Sequence, residues 1–113
     1  MEEFIKEVAE KGFPAVLLLA LMGTTGLTGM AGVTSALLML GGPFGIAGGA
    51  ALLSITGLAA DMLSRYGLEI LLVSIYEQRL QNGESKRNLC QEIRRLPISD
   101  GLKRTIEEEI NSK

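Results

Sequence analysis

Apolar and polar positions divide this chain into three stretches of different character. From Glu2 to Lys11, Phe4, Ile5 and Val8 recur at helical spacing while Glu3, Lys6, Glu7 and Glu10 occupy other faces. That pattern predicts a short amphipathic helix over residues 1–12, suited either to a protein surface or to a membrane interface. From Gly12 to Ala60 no side chain carries a charge, and apolar residues are interleaved with glycine, serine and threonine. Beyond Asp61 charge returns, and the apolar positions again keep a helical period to the end of the chain. The organisation expected is therefore an amphipathic helix (1–12), a glycine-rich hydrophobic hairpin (13–60) and an amphipathic helical tail (61–113), an all-α chain throughout.

The middle stretch is about twice what one membrane crossing needs, since a transmembrane helix takes roughly 20 apolar residues. Gly12-Phe13-Pro14 breaks the first helix, and Pro14 suits the first turn of the next. Two arms follow, Pro14 to Leu40 and Pro43 to Ala60, with Gly41, Gly42 and Pro43 as the turn. The second arm spans only about 27 Å as a helix, close to the minimum for a crossing.

In the first arm Gly23, Gly26, Gly29 and Gly32 recur every third residue among Thr24, Thr25, Thr28 and Thr34. In the second, Gly45, Gly49 and Gly57 keep a spacing of four or its multiple, beside Ala47, Gly48, Ala50 and Ser54. Each such glycine costs a helix in water about 1 kcal/mol relative to alanine. In a bilayer the unpaired backbone is costlier still, and small residues let helices approach closely. Gly23, Gly26, Gly29, Gly32, Gly45, Gly49 and Gly57 are therefore the expected helix-packing and oligomerisation positions.

In the tail, Asp61, Arg65 and Glu69 fall four apart, an expected ion-pair ladder. Met62, Leu63, Tyr66, Ile70, Leu71, Val73 and Leu80 give Asp61 to Gln81 a wide apolar face, with Tyr66 and Tyr76 suited to a membrane interface. Asn82-Gly83-Glu84 stops that helix. Leu89, Ile93 and Leu96 mark a further helix ended by Pro97, and Ser99 caps a last one carrying Leu102, Ile106 and Ile110. Both apolar stripes are narrow and need a third partner, the Asp61 helix or another subunit.

Composition narrows the function. A formal charge of −2 leaves no basic footprint for nucleic acid. With no histidine and one cysteine, the usual acid–base, nucleophilic and metal constellations cannot be assembled, so no enzyme activity, cofactor or metal is expected. Cys90 beside Arg87 and Arg94 reads either as a reactive thiolate or, more commonly, as a helical core cysteine. The acidic N-terminus and the long run after it do not read as a removable signal peptide. The stretch Gly41-Gly42-Pro43-Phe44-Gly45 resembles the glycine turn of flavin-binding Rossmann proteins, but Leu40 stands where the first glycine belongs and no acidic strand end follows.

The expectation is a small homo-oligomerising membrane protein that forms a pore or permeabilises the bilayer, as a toxin, lysis protein or cell-death effector does. Positive residues near the membrane ends place both termini in the cytoplasm. Its partners are the lipid bilayer, other copies of itself and, through residues 61–113, a possible protein partner. In outline, over roughly Pro14 to Ala60, the chain resembles two-span phage holins, and in glycine content the small interferon-inducible membrane proteins. Both likenesses imply action on a membrane. Two other readings stand beside it: a membrane-anchored scaffold, and a soluble helical oligomer that buries the glycine-rich stretch between subunits.

Overall fold

A computed structural model describes residues 2–25 and 58–112. The described residues are helical, with no strand among them. In chain order they form α1 (Glu2–Lys11), α2 (Phe13–Thr25), α3 (helical residues 58–66), α4 (Leu68–Gln81), α5 (Lys86–Arg95) and α6 (Asp100–Asn111). The all-α expectation holds for these residues. None of their helices is long and apolar enough to cross a membrane.

The body is built around α4, which packs against α1, α2, α5 and α6. Its sequence explains why. Leu68 and the run Ile70 to Ile75 put apolar side chains around most of the helix, and a helix hydrophobic on most sides must be covered on most sides. Leu71, Leu72, Ile75 and Tyr76 are fully buried. Burying a side chain of this size contributes roughly 1.5–3 kcal/mol, so α4 is the main source of cohesion.

The other helices each supply one face. In α1 the predicted stripe of Phe4, Ile5 and Val8 is buried, joined by Ala9. Its main neighbour is α4. The face that could have lain in a membrane interface is thus covered by the chain's own protein. In α5 and α6, Leu89, Ile93, Ile106 and Ile110 are buried as the stripes predict. The third partner those narrow stripes require is α4 of the same chain. Ser85 Oγ accepts from Asn88 N at 3.1 Å and Ser99 Oγ from Leu102 N at 3.2 Å, capping both helices.

Three expectations for the tail are corrected. Asp61 to Gln81 is not one helix. Gly67, at φ +83° and ψ 159°, interrupts it in a conformation essentially confined to glycine. Asp61 and Arg65 pair at 3.2 Å, while Glu69 lies beyond the break, so the ladder ends after one rung. Tyr76 is not at a membrane interface: it is completely buried in the helical body, because its helix is wrapped from several sides. Tyr66 is 39% exposed.

Breaks at Gly12 (φ +77°) and Gly83 (φ +100°) also use the left-handed region. The first separates α1 from α2 where Gly12-Phe13-Pro14 predicts it. In α2, Ala15, Val16, Leu18, Leu19, Ala20 and Met22 are buried, so the start of the apolar stretch belongs to the folded body.

Candidate functional site

Two features stand out from the core. The first is a buried charge. Arg79, only 6% exposed, is the one charged residue buried among the described residues. Its guanidinium takes Glu84 in a two-pronged grip, Nε to Oε2 at 2.7 Å and Nη2 to Oε1 at 2.8 Å. On its other side Nη1 lies 2.6 Å from Glu92 Oε2. The guanidinium carbon stands 5.4 Å from the centre of the Tyr76 ring.

The local sequence builds this cluster in one move. At the end of α4, Gly83 N donates to Leu80 O and Glu84 N to Arg79 O, a Schellman closure that needs the positive φ of Gly83. The turn that ends the helix brings Glu84 back to Arg79 by backbone and side chain together. Glu92 then arrives from α5, two turns past the Ser85 cap.

Burial works against the charge on Arg79, but hydrogen bonds to Glu84 and Glu92 outweigh it and raise its pKa. The Arg79 hydrogen bonds hold Glu84 below its ordinary value. Burial first, and then the negative charge of Glu92, push the Tyr76 hydroxyl up. Tyr76 Oη and Glu92 Oε1 are buried without hydrogen-bond partners among the described residues, while Arg79 Nη1 has the Glu92 ion pair at 2.6 Å. A permanently charged arginine between two carboxylates offers no proton to transfer near neutrality. Its chemistry is that of a clamp holding α4, the turn and α5 in one arrangement.

The second feature is a cavity of about 380 Å³ at the roots of the uncharged segment. Met22 and Gly23 line it from α2, Ala60, Leu63 and Ser64 from α3, and Leu68 from α4. A Cβ added at Gly23 would lie 2.9 Å from Leu68 Cδ1 and 3.2 Å from its Cγ. Gly23 therefore marks a close approach to another helix of the same chain.

Of the predicted packing residues, Gly23 is within the described residues. Gly26, Gly29, Gly32, Gly45, Gly49 and Gly57, and the turn Gly41, Gly42 and Pro43, lie outside them. Cys90 is partly buried, and its thiol is raised by burial and by Glu107, against a smaller lowering by Arg94. Arg94 is engaged with Glu107 at 3.3 Å, and the raised thiol runs against the activated-thiolate alternative. The Arg79 cluster was missed by sequence reasoning. The available signal was an arginine in the last turn of an apolar helix with a glutamate just past an Asn-Gly stop. Comparisons of the chain with known protein families, with curated proteins and with solved structures find no match.

Proposed function

We propose that this chain is a small, non-enzymatic, membrane-active protein: a helical body that holds an uncharged, glycine-rich hairpin, inserts it into a bilayer and permeabilises the bilayer by assembling with copies of itself. The observation that carries this reading is the common cavity. Met22 and Gly23 on one flank of residues 26–57, and Ala60 and Leu63 on the other, line the same space. Flanks held this close together suit a charge-free segment that turns back on itself. Small residues on both arms suit close packing between copies, and the absence of charge suits hydrocarbon.

Length sets a condition on insertion. With α2 docked, residues 26–40 and 43–57 would each reach about 22 Å as a helix, against a hydrocarbon core of about 30 Å. A full crossing from Pro14 requires α2 to leave α4. The reading thus has two states, one with α2 docked and one with α2 inserted, and both termini on the cytoplasmic side.

The test is retention of the full chain in membranes after a carbonate wash, its mass in mild detergent, and dye release from liposomes. Membrane retention, a defined multimer and dye release are expected, and Gly26→Leu, Gly29→Leu or Gly49→Leu should weaken assembly. No release at any protein density removes the permeabilising function. The scaffold alternative is favoured by one observation, the 50% exposed Ile70 on α4; it predicts retention without release. The soluble-oligomer alternative draws on the burial of most apolar side chains of α2, and predicts a protein that stays in solution without detergent.

A further inference from the structure

A groove of about 310 Å³ runs between α4 and α6, floored by Ile70 and Val73 and lined by Glu69, Glu77 and Glu109. No basic side chain among the described residues lines it. Ile70 is the most exposed large apolar residue among the described residues. An apolar floor inside an acidic rim calls for a partner that is basic at its edges.

The same chain carries such a surface. At 100° per residue, Arg87, Gln91, Arg94 and Arg95 form a ridge about 100° wide on α5, centred opposite the buried Leu89 and Ile93. All four ridge residues are exposed. The only acid of α5, Glu92, pairs with Arg79, so the ridge carries no acid of its own helix. Arg87 and Arg95 on the ridge match Glu69 and Glu109 in the groove.

One copy cannot use its own ridge. α5 is tied to α6 through Lys103 Nζ to Arg94 O at 3.0 Å and Arg94 to Glu107 at 3.3 Å. Thr105 and Glu109, which line the groove, lie on the opposite side of α6, about 200° around the helix from Lys103 and Glu107. Donor ridge and acceptor groove therefore point away from each other.

We infer that the α4–α6 groove is the docking site for the arginine ridge of α5 from a second copy of this chain. The contact joins two different surfaces, so it repeats head to tail and builds a ring where the rotation closes or a filament where it does not. It names a protein–protein interface for the assembly proposed above, outside the glycine faces, and it rests on that reading only for the purpose the assembly serves. Charges at the rim set register and encounter more than affinity, so the contact weakens as salt is raised.

The experiment is oxidative cross-linking of the full chain in mild detergent, with Cys90→Ser removing the native thiol. One chain carries Ile70→Cys in the groove, the other Gln91→Cys at the centre of the ridge, which leaves all three arginines in place. Mixing them should give the mixed disulfide at about ten times the yield of either chain alone, and a chain bearing both should give a ladder. Glu69→Lys with Glu109→Lys should cut the mixed product about tenfold. Arg87→Glu with Arg95→Glu on the other chain should restore it. Helix content by circular dichroism confirms that each variant folds. Absence of the mixed product, or a product indifferent to charge reversal, overturns the inference, as does an Ile70→Cys thiol shielded from maleimide with no cross-link to Gln91→Cys. Cross-linking that persists in a protein giving no dye release overturns the permeabilising reading and leaves this interface standing.

Discussion

Replacing Arg79 with methionine isolates the contribution of the buried charge cluster. Methionine keeps the volume and the apolar stem but removes the guanidinium. Glu92, with a side chain only 12% exposed, is then left charged and buried with no counter-ion. Leaving one member of a buried pair unpaired costs roughly 3–5 kcal/mol. Glu84, with 39% of its side chain exposed, can turn to water and adds little. Loss of the contact with the Tyr76 ring adds about 0.5–1 kcal/mol. The expected loss is about 3.5–6 kcal/mol, a large share of the 5–15 kcal/mol that stabilises an ordinary domain.

The assay is urea unfolding at pH 7 followed by helical circular dichroism. With a slope of about 1–1.5 kcal/mol per molar, the midpoint should fall by about 2–6 M. Converting Glu92 to methionine as well removes the orphaned charge, and the double variant should return to within about 1 kcal/mol of the parent. A single Arg79→Met variant that loses less than about 1 kcal/mol would show that Glu92 reaches water, and the argument from burial would fail.

Three further outcomes follow from the same geometry. Because Arg79 lowers the Glu84 pKa in the fold, Glu84 stabilises fully above its unfolded value near 4.5, and that contribution disappears as pH falls through the lower folded value; Glu84→Gln should flatten the acid limb of stability against pH. Gly67→Ala forces a side chain into a glycine-only conformation and should cost about 1–3 kcal/mol in the same urea titration, whereas an unchanged midpoint would show that α3 and α4 can join without that kink. Gly23→Cys with Leu68→Cys, in a Cys90→Ser background, should form a disulfide, since the 3.2 Å from a Gly23 Cβ to Leu68 Cγ approximates the roughly 3.0 Å between Cβ and the far sulfur of a disulfide. Liposome leakage should then be blocked until reductant is added, and equal leakage before and after would refute the need for α2 to undock.

Legibility differed by element. The α1 stripe, the break at Gly12, the Ser99 cap and the Pro97 stop are local devices, each contained within a few residues, and a period or a capping side chain announces them. Gly67 is different. An isolated glycine within a helical pattern is ordinarily tolerated, and only the packing of α4 against four other helices makes a kink there worth its cost. The position of Tyr76 was misjudged for the same reason: a tyrosine at the end of an apolar run suits a wet interface or a core equally, and its placement depends on α1, α5 and α6 arriving together. The Arg79 clamp joins residues from two helices and a turn, so spacing on one helix could not reveal Glu92. The pairing of Gly23 with Leu68 likewise crosses the whole uncharged stretch, and no local rule connects them.

The partnership of α1 with α4 also dictates an order of events during synthesis. Phe4, Ile5 and Val8 find their cover on a helix that begins at Leu68. The ribosome must therefore deliver all of the charge-free residues before the helix that completes the body exists. At about 5–20 residues per second, the interval between the last of those residues and the end of α4 is about 1–5 s. For those seconds the nascent chain presents its most apolar segment with no folded body to restrain it. Whatever first meets the segment then, a bilayer or α4 itself, sets which of the two destinations the newborn protein takes.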